Sequence, residues 1–275
     1  MTIRSILAHV DYENLSKASL AAAVSLADSF DAHITGIANK TPIYIPAYAT
    51  AEVPAEVFIA YDEERNRMLE QAREEFEAAV KTASRLDRSA WQIGKGDLST
   101  AISTAALFHD LVVMRQENSE LDSALYEGVP GNVIINSPCP VLIIPYIDRG
   151  EKFGKSILIG WSDTRESARA VRDALPFLKR AEKVEIFSAN SKENEDVPGA
   201  ELARYLSEHG ITSKVSKTSS SDVDIGDMLL NDVVENGHDM IVMGGYGHLR
   251  LREMIMGGVT RQILKHMTVP VLFSH

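Results

Sequence analysis

The chain has 275 residues, long for one ordinary domain and right for two of roughly 130 to 140 residues each. Hydrophobic residues make up 45% and charged residues 24%, a balance that excludes disorder and supplies apolar surface for two cores. The net charge of −11 argues against nucleic acid as a partner, since that binding relies on Lys and Arg neutralising phosphates, although a helix N-terminus or glycine-rich turn can still hold a small anion.

The first apolar run, Ser5-Ile6-Leu7-Ala8-His9-Val10, reaches Asp11 too soon for a signal peptide. No later run attains the roughly 18 apolar residues of a membrane span, so a cytoplasmic protein without membrane contact is expected. Leu20, Val24 and Ala27 then recur at helical spacing. A Pro- and Tyr-rich insertion follows at residues 41–48, and the segment from 44 to 61 reads equally as a lid over the first half or as an interface. Leu69, Ala72, Phe76, Ala79 and Ala83 form an apolar stripe through the charged stretch 62–85, predicting an amphipathic helix with a solvated face. His109-Asp110 leads into the unbroken apolar run Leu111-Val112-Val113-Met114, as expected of a strand covered on both faces. Cys139, in Ser-Pro-Cys-Pro before Val141-Leu142-Ile143-Ile144, has no basic sequence neighbour to activate it and reads as a small buried residue.

A polar connector at residues 147–152 separates two halves, predicted as domains 1–148 and 152–275. The second half opens with the run Ser156-Ile157-Leu158-Ile159-Gly160-Trp161-Ser162, followed by the helical spacing of Ala168, Val171, Leu175 and Leu178. His238-Asp239 precedes the strand Met240-Ile241-Val242-Met243, after which comes Gly244-Gly245-Tyr246-Gly247. Nine residues later Gly257-Gly258-Val259-Thr260 opens a helix, and Val269-Pro270-Val271-Leu272-Phe273 closes the chain. Both glycine clusters let backbone N–H groups converge on an anion without a Cβ in the way, and the second adds the positive end of a helix. His248, Arg250 and Arg252 lie between them and can add charge-assisted contacts.

The halves are copies of one unit. The first strands, the His-Asp strands and the Pro-Val-Leu strands match in order at offsets of 151, 129 and 130 residues. Apolar runs alternating with amphipathic helices predict an α/β fold: two tandem doubly wound, Rossmann-like parallel sheets, with ligands beyond the carboxyl ends of the strands. Gly-x-x-Gly, nine residues, then a further glycine resembles the ATP-binding signature of the universal stress protein family, through Gly244, Gly247 and Gly257. The resemblance spans essentially the whole chain. It implies adenine nucleotide alpha hydrolase-like domains of five parallel strands that pair through their last strands. It also implies ATP or a related adenine nucleotide, with or without Mg²⁺, at Gly244, Gly247, His248, Gly257, Gly258, Val259, Thr260, Trp161 and Ser162, with adenine near Ala189. Gly258 departs from the usual Ser or Thr, and Ser162-Asp163 stands where the family tends to carry Asp. The first half keeps Asp11 but puts Arg115 at the position of Gly244, Asn118 at that of Gly247 and Glu127-Gly128 at the later pair, where side chains fill the cradle and Glu117, Glu120 and Glu127 repel phosphate. One site per chain, or none, is therefore expected.

Other motifs carry less. Gly150 to Ser156 imitates a P-loop, with three residues between its glycines where four are needed and a strand where a helix is needed. The His-Asp pairs sit at strand starts with no spaced second His, which suits turn-and-cap roles and gives no metal site. No Ser-His-Asp set, Gly-x-Ser-x-Gly elbow or catalytic base stands out. The expected function is thus a non-catalytic, nucleotide-responsive regulatory module with a protein partner, against the alternatives of a nucleotide-independent interaction scaffold and, less favoured, a weak ATPase. A homodimer of whole chains stays open.

Overall fold

The computed structural model describes residues 2–12, 15–40, 54–118, 126–146, 152–189, 199–218, 224–246 and 258–275. In the N-terminal half, β1 (Ser5–His9), α1 (Lys17–Phe30), β2 (His33–Lys40), α2 (Ala55–Thr82) and β3 (Ser89–Lys95) come first. They are followed by α3 (Leu98–Ala105), β4 (Leu111–Arg115), α4 (Val129–Asn136) and β5 (Val141–Ile144). The C-terminal half repeats the alternation: β6 (Ser156–Trp161), α5 (Arg165–Leu178), β7 (Lys183–Ala189), α6 (Ala200–Glu208) and β8 (Lys214–Thr218). It ends with α7 (Ile225–Asn236), β9 (Met240–Gly244), α8 (Gly258–His266) and β10 (Val271–Ser274).

All these strands lie in one ten-stranded sheet, ordered β3-β2-β1-β4-β5-β10-β9-β6-β7-β8. Each half is internally parallel, which suits runs such as Leu111-Val112-Val113 and Ile241-Val242 that are wholly buried. The halves join through their last strands, β5 and β10, which pair antiparallel with Leu142 opposite Leu272. That pairing leaves no sheet edge between the halves and reverses the second half relative to the first. The two carboxyl edges, where ligands of such sheets bind, consequently face opposite ways.

Helices α1, α2, α5 and α6 cover one face of the sheet, and α3, α4, α7 and α8 cover the other. Phe30 of α1 meets Phe177 of α5 edge-on at 5.2 Å, so the core runs across the junction. In α2 the buried stripe is Leu69, Ala72, Phe76 and Val80. The helix starts seven residues before the expected 62 and stops at Thr82, because Ser84 takes φ +56° and turns the chain out of the helix. In α5 the buried face is centred on Ala170, Val171, Ala174, Leu175 and Leu178, whereas Ala168 is only half-buried. The two small alanines bring this helix close over β9. Residues 41–53 and most of the connector at 147–152 lie outside the described residues.

Candidate functional site

At the carboxyl edge of the second half, Trp161, Ala189 and Gly244 end three neighbouring strands: β9 pairs β6, and β6 pairs β7 with Trp161 opposite Ser188. Gly258 and Val259 begin α8, which follows β9 in the chain, so its first-turn N–H groups have no intrahelical partner and carry the positive end of the helix dipole. A Cβ built on Gly258 meets nothing within 4 Å among the described residues. Gly247, His248 and Gly257 lie outside the described residues, as do Arg250 and Arg252.

The remaining expected site residues have protein partners that their spacing did not show. A Cβ on Gly244 would stand 2.6 Å from the backbone N of Ser167 and 2.7 Å from the carbonyl carbon of Glu166. The start of α5 therefore rests directly on the end of β9, and only glycine fits there. Thr164 caps α5 by accepting from Ser167 N, while the Ser167 hydroxyl returns the contact to Thr164 N. Thr260 is buried, and its hydroxyl accepts from Tyr246 N at 3.2 Å. It supports the turn that leaves β9, in which Tyr246 adopts φ +56°. Burial pushes the Tyr246 phenol up to about 12. Trp161 donates its indole N–H to Asp163 at 2.6 Å, and Ser162 is exposed with its hydroxyl 3.3 Å from that of Thr164.

The equivalent edge of the first half is filled by its own side chains. Arg115, at the end of β4, binds the Asp11 carboxylate at 2.7 Å and stacks on the Tyr126 ring with its guanidinium 3.7 Å from the centroid. Tyr126 in turn donates to the Arg115 carbonyl at 2.9 Å. His9 stacks on the other partner of this group, Tyr126, and burial lowers its pKa to about 4. Glu117 completes the closure, for its carboxylate accepts from Gly128 N at 2.8 Å. Gly128 is the N-cap of α4, so an acidic side chain of the protein sits where an anionic ligand would. Glu117 thus does more than repel phosphate: it stands in for it.

The motifs set aside earlier behave as turns and caps. Asp110 accepts from the backbone N of Arg4 and Ser5, and Asp239 accepts from Gly154, Lys155 and Ser156, each pinning the start of a first strand. A strand, β6, follows the P-loop-like segment. Cys139 is half-buried rather than fully buried, and burial raises its thiol to about 11. Sequence reasoning missed Gln116, which donates to the carbonyls of Leu264 and Lys265 and so ties the first half to the C-terminal end of α8. Its only sequence signal was a polar residue directly after an apolar strand.

Two Rossmann-like repeats fused through antiparallel terminal strands define a tandem α/β protein. Residues 154–275 match the model of the universal stress protein family. Among solved structures, a universal stress protein from Archaeoglobus fulgidus is similar over 98% of this chain and 97% of its own, with a TM-score of 0.73 and 16% identity. A putative universal stress protein from Pseudomonas aeruginosa covers 99% and 93%, with a TM-score of 0.62 and 14% identity. At such identities the likeness speaks to fold, and it includes the N-terminal half. No curated protein matches the chain. No helix among the described residues is long and apolar enough to cross a membrane.

Proposed function

We propose that the chain is a stress-response protein that binds ATP or a related adenine nucleotide at the carboxyl edge of its C-terminal half and acts as a non-catalytic, nucleotide-responsive module. One observation carries this reading: the N-terminus of α8 opens at Gly258 with no described atom near the position of a Cβ, while the matching N-terminus of α4 is stopped by Glu117. A carboxylate at one helix end and no described atom at the other supports a single anion site. The phosphates belong at Gly258 and Val259 together with Gly247 and Gly257, and the adenine beyond Ala189 and Trp161. Thr260 serves this site from behind, by holding the Tyr246 turn.

The tight fit of Gly244 against α5 supports a second reading, because that glycine is required by packing whether or not a ligand binds. On this view the protein is an interaction scaffold whose two halves are held by β5 and β10. Calorimetric titration of ATP into wild type and Gly247→Val, with mass spectrometry of any nucleotide released on denaturation, separates the two. Binding of about one nucleotide per chain, lost in the variant, supports the nucleotide site. Absence of binding at millimolar ATP, which corresponds to about −4 kcal/mol, leaves the scaffold.

A further inference from the structure

At the opposite, amino edge of the C-terminal half, three side chains from three elements converge. Glu185 comes from the third position of β7, Asp232 from the last turns of α7, and His238 from the turn just before β9. Their nearest ligand-type atoms lie within 4.8 Å of one another. His238 Nε2 is 3.5 Å from Glu185 Oε2 and 3.4 Å from Asp232 Oδ1. The side chains of His238 and Glu185 are 0% and 1% exposed and that of Asp232 13%. Yet among the described residues none of these three atoms has a hydrogen-bond partner, the Lys183 ammonium 3.4 Å from Glu185 Oε2 being an ion-pair contact only. Buried polar atoms are costly when unpaired, so three of them facing one point call for something at that point.

A protonated imidazole shared by the two carboxylates is one solution, yet both nitrogen–oxygen separations, 3.5 and 3.4 Å, are long for a charge-assisted hydrogen bond. Lys183 Nζ is 3.4 Å from Glu185 Oε2 and Lys214 Nζ 4.0 Å from Oε1. The other ring nitrogen, Nδ1, is held 3.0 Å from the Ser156 hydroxyl, which fixes the ring and leaves Nε2 aimed at the carboxylates.

We propose that Glu185, Asp232 and His238 form a binding site for a divalent transition ion, zinc by its geometry, that ties β7, α7 and the start of β9 together. Zinc–nitrogen and zinc–oxygen bonds of about 2.1 Å arranged tetrahedrally place neighbouring ligand atoms about 3.4 Å apart, which the two nitrogen–oxygen separations match. An octahedral magnesium shell of similar bonds brings ligands to about 3.0 Å, and calcium prefers oxygen to an imidazole nitrogen. Three protein ligands leave a fourth position for water, reached past Asp232, the least buried of the three. The sequence reading excluded a metal here because it sought a second histidine on one helix, whereas the other ligands are carboxylates on separate elements.

The test uses the untagged full chain, dialysed against micromolar Zn²⁺ and then against buffer, with metal counted by plasma mass spectrometry and melting followed with and without chelator. About one zinc per chain is expected, with a melting temperature that falls on chelation. Asp232→Asn should lose the ion and the chelator effect, while its metal-free form melts at or above the metal-free wild type because a like-charge contact is gone. Ser156→Ala should weaken zinc about tenfold, and His209→Ala should change nothing. ATP binding should be the same in all of them, which keeps this site separate from the nucleotide edge. Zinc retained equally by Asp232→Asn, or no zinc retained by the wild type, overturns the proposal.

Discussion

The two carboxyl edges of this protein start from the same strand order and end in opposite chemical states. In the first half, Arg115 replaces the glycine that ends the His-Asp strand, and its guanidinium is neutralised by Asp11 and roofed by Tyr126. In the second, Gly244 gives up its side-chain volume to the start of α5, and the space beyond Gly258 is open among the described residues. The first half thus fills its edge with its own cation, aromatic face and carboxylate. Because β5 and β10 are antiparallel, this edge and the one proposed to bind nucleotide face opposite ways.

The largest effect should come from opening the sealed edge. Arg115→Ala leaves the Asp11 carboxylate, its side chain 11% exposed, without its countercharge and uncovers the face of Tyr126. Breaking a buried pair from one side costs about 3 to 5 kcal/mol, readable as a lower urea midpoint. If the variant is as stable as wild type, the network is not what closes this edge.

The same network makes stability depend on pH. Burial holds the pKa of His9 near 4, below its ordinary 6.5, with Asp11 opposing and Arg115 assisting. The unfolded chain therefore binds a proton at this residue before the folded one does. Its contribution is complete above pH 6.5 and is lost as pH falls toward 4, by at most about 3.5 kcal/mol at ~1.4 kcal/mol per unit. Urea titrations of wild type and His9→Gln across this window should diverge in slope, and parallel curves would remove His9 from the account.

On the open edge, Gly244→Ala should cost about 1 to 3 kcal/mol, since the new methyl meets the backbone of Ser167 and Glu166, which cannot rotate away. Gly258→Ser meets no such obstacle among the described residues and supplies the hydroxyl of the signature that the sequence resembles. It should leave stability within about 0.5 kcal/mol and tighten ATP binding several-fold, by roughly the 1 kcal/mol of one added hydrogen bond. Calorimetry on the two variants distinguishes a glycine kept for packing from one kept for ligand approach.

Much of this contrast was legible in the residues. Unbroken apolar runs such as Leu111-Val112-Val113 marked buried parallel strands, and the offset matching of the halves placed Arg115 opposite Gly244 before any coordinates. The pairing of the last strands followed from the resemblance and is seen as β5 against β10. Spacing could not show what a residue touches across the fold. Gly244 meets Glu166 and Ser167, Gln116 reaches Leu264, and Glu185 faces His238, each far away in sequence. Thr260 is instructive, for a hydroxyl beside a phosphate motif reads as a ligand contact, and the structure adds that it accepts from Tyr246 N.

The smallest expected effect bears most directly on why one half is sealed. Glu117 caps α4 through Gly128 N, and a carboxylate at a helix N-terminus is worth about 0.3 to 1 kcal/mol. Glu117→Gln keeps the side-chain length and can still accept that hydrogen bond, so it removes only the charge. The stability loss should be a few tenths of a kcal/mol, and it should shrink further in high salt. If the carboxylate is what excludes anions from this edge, the variant should gain weak binding of inorganic phosphate, detectable by NMR shifts at Gly128 and Val129. If no phosphate binds, Arg115, Asp11 and Tyr126 close the site by volume alone, and the two edges differ in shape rather than in charge.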